Sequence, residues 1–179
     1  MSFPSFSTGE VLTAADMNAV GLWLVKTQTI GNGVSAVDVT GAFSTDYDNY
    51  VISYSNVDAS VNGAGFFFRF GTVASPVTTN YKFGGFFSGY TGTVLNLLQS
   101  NPGYWEVGGT NTNNASSVFG VQGPNLAAHS TFSTQFARTD AAFVISGIQE
   151  ATTQHTAFHL YPSSGTITGG TIRVYGYRN

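Results

Sequence analysis

The sequence predicts a mainly β protein, an antiparallel β-sandwich of jelly-roll type preceded by one short N-terminal α-helix. Three observations predict it. Short runs of alternating apolar and polar residues recur along the chain, each closed by Gly, Pro, Asn or Asp, the pattern of half-buried strands joined by turns. No helical periodicity of crossover length separates those runs, so successive strands must lie antiparallel. Charged residues make up only 8% of the 179 residues while aromatics reach 15%, the opposite of a disordered chain.

The elements follow in order. Ser2 to Gly9 carries Pro4 and no periodicity, and reads as an extended arm. Thr13-Ala-Ala-Asp16 has capping-box spacing, and behind it Met17, Val20 and Leu24 fall at i, i+3 and i+7 on one helical stripe. So short a helix is marginal alone, and its stripe calls for the β domain or symmetry mates as cover. Residues 1–25 are therefore an arm and helix for attachment or trimerisation, and residues 26–179 the β domain.

Leu24 to Ile30 alternates and stops at Gly31-Asn32-Gly33, and Ala36 to Thr40 is a short strand. Asp48 to Thr72 then reads as a long hairpin. Tyr50, Ile52 and Tyr54 alternate on one arm, and Phe66, Phe68 and Phe70 on the other, with Asn62-Gly63 between them suited to a two-residue type I′ turn. The second face of the return arm, Phe67 and Arg69, is too apolar to be left wholly in water and is the candidate seam between protomers. Beyond it, Thr79 to Ser88 holds Gly84-Gly85 in mid-strand, a mark of a bulge or a close backbone approach. Strands are further expected at Val94 to Leu98, Tyr104 to Val107, Val118 to Val121, Thr131 to Arg138, Phe143 to Glu150, Thr156 to Tyr161 and Thr171 to Tyr177, with Gly108 to Ser117 a polar loop.

Composition excludes several functions. Six scattered Lys and Arg against a net charge of -3 give no basic stripe for a phosphate backbone, so nucleic acid is not expected as a partner. With no cysteine there is neither a disulfide framework nor a thiolate metal site. No run approaches the roughly 18 apolar residues of a membrane span, and the opening residues lack the pattern of a secretory signal. The expected product is soluble and made in the cytoplasm.

The chemistry-bearing residues give little to an enzyme. Asp46 and Asp48 flank Tyr47 in a turn, where Asp usually bonds its own backbone. Glu106 beside Trp105 is a better isolated acid, but glycoside hydrolysis needs a second carboxylate. His155 and His159 have helical chelate spacing on a segment that reads as strand, which would set them roughly 13 Å apart. Ser130, His129 and Asp140 supply triad residue types without a nucleophile elbow. Neither Gly31-Asn32-Gly33 nor Gly84-Gly85 opens a helix, as a phosphate cradle would. Arg69 and Arg173 lie opposite the apolar stripes of their strands, and Asn114-Ala-Ser116 is a chance glycosylation match. No catalytic residue, metal or cofactor is expected. Tyr90, Tyr104 and Trp105, near Gly/Asn-rich loops, are the candidate platforms for a glycan, as a carbohydrate-binding module would use them.

Two stretches carry a resemblance. FSTGEVLTAADMNAVGLWLV, Phe6 to Val25, resembles the opening of many bacteriophage tail and tail-fibre proteins, in which a GEVLTAADxN phrase precedes a short helix. YDNYVISYSNVDAS, FFFRFGT and the closing GGTIRVYGYRN resemble the β-sandwich tips of the same virion proteins. The resemblance implies a homotrimeric tail fibre or tail-tip component of the virion. Its N-terminal segment would attach to other tail proteins, and its distal jelly roll would meet a bacterial surface receptor. Under that reading Met17, Val20, Leu24, Phe67 and Arg69 are the oligomer-interface candidates.

Overall fold

The computed structural model describes residues 8–9, 21–110 and 115–178. Within them the chain is all β and every strand pairing is antiparallel. In chain order the strands are β1 (Leu22–Thr29), β2 (Asn32–Val34), β3 (Val37–Thr40), β4 (Tyr47–Val57) and β5 (Gly65–Thr72). Next come β6 (Ser75–Pro76), β7 (Tyr81–Gly89), β8 (Val94–Ser100), β9 (Trp105–Gly109) and β10 (Ala115–Gln122). The last five are β11 (Ser130–Ala137), β12 (Ala141–Gln149), β13 (Ala157–Pro162), β14 (Ile167–Thr168) and β15 (Thr171–Arg178).

Eight strands form the larger sheet in the order β1-β15-β4-β10-β11-β12-β7-β8. A smaller sheet runs β3-β13-β5-β6, with β9 also on β5, and β2 pairs β14 apart from both. The two main sheets face each other across one aromatic core. Tyr54 of β4 meets Phe66 of β5 at 5.4 Å, Phe119 of β10 meets Phe68 at 5.8 Å, and Phe132 of β11 stacks on Trp105 of β9 at 4.5 Å. Edge-to-face and offset pairs of this kind add to the burial of ring area itself.

The long hairpin expected over Asp48 to Thr72 is not formed. Its arms, β4 and β5, lie in different sheets: β4 pairs β10 and β15, while β5 pairs β13 and β9. Alternation within each arm is as read, with Tyr50, Ile52 and Tyr54 buried opposite buried Phe66, Phe68 and Phe70. Two strands facing across a core need the same period as two strands side by side, so the pattern cannot separate the two arrangements. The connecting turn does: only Gly63 of the Asn62-Gly63 pair takes positive φ, at 77°, the signature of a type II turn and not of type I′.

The N-terminal helix is corrected at its C-terminal end. Met17 and Val20 lie outside the described residues, but Leu24 belongs to β1, opposite Tyr175 of β15. Leu22 and Leu24 are exposed while Trp23 and Val25 are half-buried, which is strand alternation, so Leu22 to Val25 is part of the larger sheet. The expected loop over Gly108 to Ser117 is also shorter than read, because Gly108 and Gly109 end β9 and Ala115 begins β10. Gly108 is there to admit the Tyr54 ring: a Cβ at that position would collide with the Tyr54 hydroxyl and sit 2.8 Å from its Cζ.

Gly84-Gly85 resolves to a close approach. The β7–β12 register runs unbroken through both glycines, which excludes a bulge. A Cβ on Gly85 would drive into the Val144 carbonyl oxygen and lie 2.9 Å from Ile145 Cα.

Candidate functional site

The three aromatic candidates separate into three environments. Trp105 is fully buried, stacked between Phe132 at 4.5 Å and Phe68 at 5.5 Å with Tyr81 edge-on at 5.4 Å, so it is a core residue and not a glycan platform. Pairing of β9 with β5 turns this ring inward. Tyr104, one residue earlier, turns the other way and stacks on Phe67 at 4.0 Å while touching Phe83 at 6.0 Å. Burial, with the nearby Glu106 carboxylate, raises its hydroxyl above the ordinary tyrosine value. Tyr90 alone is open, 63% exposed in the four-residue turn that joins β7 to β8.

Phe67 and Arg69 occupy the outer face of the smaller sheet and are half-buried there by their own chain. Phe67 sits between Tyr104 and Tyr161, the latter edge-on at 5.6 Å. Arg69 lies 4.8 Å over the Tyr161 ring and donates from Nε to the Gly103 carbonyl at 2.6 Å. Much of the cover that this face demands is therefore internal. Desolvation pushes the Tyr161 hydroxyl up to about 12, with Arg69 partly opposing it.

Beyond the Gly65 and Gly109 end of the strands, turns from four places in the sequence meet. Asn62 and Gly63 of the β4–β5 connection, Thr110 after β9, and Arg138, Thr139 and Asp140 of the β11–β12 turn line a polar recess of about 240 Å³. The Tyr90 amide donates to the Asp140 carbonyl at 3.1 Å, which sets the β7–β8 turn beside it. Arg138 is held over the Phe143 ring at 4.6 Å and paired with Asp140 at 3.2 Å, and Thr110 donates to the Ala64 carbonyl at 3.3 Å. A side-chain amide, a carboxylate, a guanidinium and hydroxyls form a set able to hydrogen-bond a polyhydroxylated ligand, and the exposed Tyr90 lies on the adjoining turn, outside the lining of the recess. Sequence reading found Tyr90 and missed the rest, since Asn62 reads only as a turn residue and Asp140 only as a triad residue type, and the topology alone brings their turns together. A second, shallower depression of about 360 Å³ lies on the outer face of the larger sheet, floored by Val51, Gly120, Ser133 and Ser146 and without a charged residue in its lining.

The remaining titratable groups have structural surroundings. Asp46 accepts from the Ser44 hydroxyl at 3.2 Å, as a turn aspartate does. Glu106 is raised by burial, with Arg138 offsetting part of the shift. Among the described residues no three His, Asp or Glu side chains gather as a metal site. His155 stacks on Phe70 at 4.2 Å and His159 lies within β13.

The two histidines make stability pH-dependent. Burial lowers His155 to about 4 and lowers His159 in the same direction, so both stay neutral in the fold where an unfolded chain would protonate near 6.5. Their contribution is full above about 6.5 and is lost as pH falls toward the folded values, with up to about two extra protons taken up on unfolding. Glu106, raised in the fold, acts oppositely: its contribution is complete below 4.5 and fades as pH rises through its raised value. Urea midpoints are expected to be lower at about pH 5 than at pH 7, with a shallower pH dependence in His155→Phe.

No family model matches the chain, and no curated protein matches it. Solved structures that resemble it include galectin LEC-6 of Caenorhabditis elegans, at 12% identity and TM-score 0.36, covering 82% of this chain and 94% of that one. CB05 of A. japonicus is 9% identical with TM-score 0.38, covering 94% of this chain, which spans 29% of the other. A Shewanella oneidensis protein of unknown function is 10% identical with TM-score 0.34, covering 99% and 85%. At such scores the similarities assign neither family nor function.

Proposed function

We propose that the chain is a structural virion protein of a bacteriophage tail, a tail-fibre or tail-tip component, assembled as a homotrimer after synthesis in the host cytoplasm. Residues 1–25 dock it to other tail proteins, with a short helix that ends before Leu22. Its β domain is a jelly-roll-like sandwich presented to a bacterial surface receptor of glycan type. No catalytic step, metal or cofactor is assigned to it. The observation behind this reading is the GEVLTAADMN phrase, Gly9 to Asn18, directly ahead of a low-charge antiparallel β domain. An antibody against the β domain is expected to decorate tails in negative-stain images of particles from a strain carrying the gene. Particles free of label would overturn the assignment.

The polar recess beside Tyr90 favours a second reading, a carbohydrate-binding module with no structural role. On either reading Tyr90→Ala and Asp140→Ala should each weaken binding to host envelope glycan by about tenfold or more, the scale of one lost stacking or charge-assisted contact. Binding that both variants retain would remove the recess from the account. Glycan binding by protein that never enters particles would leave the second reading standing.

A further inference from the structure

Among the described residues the larger sheet ends at β8, which has β7 on one side and no strand on the other. We propose that a second copy of the chain pairs with this edge, β8 against β8, antiparallel about a two-fold axis through Asn96.

The backbone supplies the first reason. Asn101 donates to the Tyr81 carbonyl and Gly89 to the Thr93 carbonyl, so the hydrogen-bonded pairs between β7 and β8 fall on odd-numbered residues. Val94, Asn96, Leu98 and Ser100 therefore turn their N–H and C=O groups toward the open edge. Side chains supply the second. Val94 is 64% exposed, Leu95 50% and Leu98 78%, and no charged residue occurs from Tyr90 to Tyr104. Edge strands are usually protected by a charge, a proline or a bulge, and β8 contains none of them. The other edge, β1, does carry such protection, with Lys26 and a register shift between Leu24 and Lys26.

A second copy is the occupant because the strand is complementary to itself. Centring the axis on Asn96 sets Val94 against the other copy's residue 98, Leu95 against its residue 97, and Asn96 against itself, so the four aliphatic residues of β8 meet aliphatic partners and the amide meets an amide. Centring on Leu97 would instead oppose Leu95 to a glutamine and Asn96 to a leucine. The Asn96 register also makes each facing pair on the even positions a hydrogen-bonded one. In an isologous contact any charge meets the surroundings of its own copy, and a neutral edge avoids that repulsion.

A single-cysteine test is clean because the chain has no cysteine. Facing residues of a hydrogen-bonded pair have Cα atoms about 5.5 Å apart, within disulfide reach. Under mild oxidation Asn96→Cys is expected to give a covalent dimer as the main product. Ser100→Cys, whose copies would stand roughly 27 Å apart along the strands, is expected to give at least tenfold less. Leu98→Lys, at an exposed position that leaves the fold intact, should lower the mass measured by light scattering, to half where β8 is the contact that joins two copies. Cross-linking of Asn96→Cys no faster than of Ser100→Cys, or a mass unchanged by Leu98→Lys, overturns the proposal. So would a wild-type β8 edge that takes up only a foreign peptide.

Discussion

Trp105→Ala is expected to destabilise the protein by about 3–5 kcal/mol, a large part of the roughly 5–15 kcal/mol that holds a domain of this kind together. The indole is in the middle of the core, touching Phe68, Phe70, Tyr81 and Phe132, and none of these rings can turn far enough to fill the space it would leave. A urea midpoint lower by at least about 1 M follows from the usual denaturant slope. Trp105→Phe should be much milder. It keeps a flat ring in the stack, and the indole Nε1 has no hydrogen-bond partner to lose. Equal costs for the two substitutions would show that the site collapses freely. Any glycan-binding assay on Trp105→Ala would report unfolding and not recognition.

Gly85→Val should be the second most damaging single change, by about 3 kcal/mol, the upper end of the range for overpacking. The obstacle is backbone, the Val144 carbonyl and Ile145 Cα of the paired strand, so relief requires parting β7 from β12 and not merely rotating a side chain. Gly84→Ala is the matched control, because its nearest neighbour is the flexible Leu98 Cδ2 at 3.3 Å. Thermal unfolding should separate the two by several degrees, on a scale of about 2–4 °C per kcal/mol for a chain of this size. If Gly84→Ala melted as low as Gly85→Val, the cost would lie in glycine's general absence from the strand and not in this contact.

Strand positions were legible because alternation is a local property. Tyr50, Ile52 and Tyr54, or Phe132 and Phe136, declare which way they point whatever stands opposite. Pairing was not legible where two strands could satisfy that alternation equally well side by side or face to face, and β4 and β5 were misread for this reason. The identity of a buried ring was hidden too: Tyr104 and Trp105 are adjacent, aromatic and near loops, yet the direction of one strand puts the first at an edge and the second in the core. The recess drew on turns some 30 to 50 residues apart in sequence, Asn62, Thr110 and Asp140, whose meeting depends on sheet order alone. Of the candidate site only Tyr90 stood out beforehand, as an aromatic among glycines and threonines.

The pairing of β1 with β15, and of β15 with β4, fixes a direction for load. Leu22 lies beside Tyr177 and, through it, Asn49, while Thr29, Thr171 and Ser55 mark the far end of the same strands, where the turns around Tyr90 and Asp140 emerge. Eight residues of strand separate those ends by roughly 26 Å. An anchor placed ahead of Leu22 therefore becomes a pivot with the recess at maximal reach from it. Tension between the anchor and a ligand held at that tip runs lengthwise along the strands. Such a pull would load the hydrogen bonds between β1 and β15 together in shear instead of peeling them one at a time.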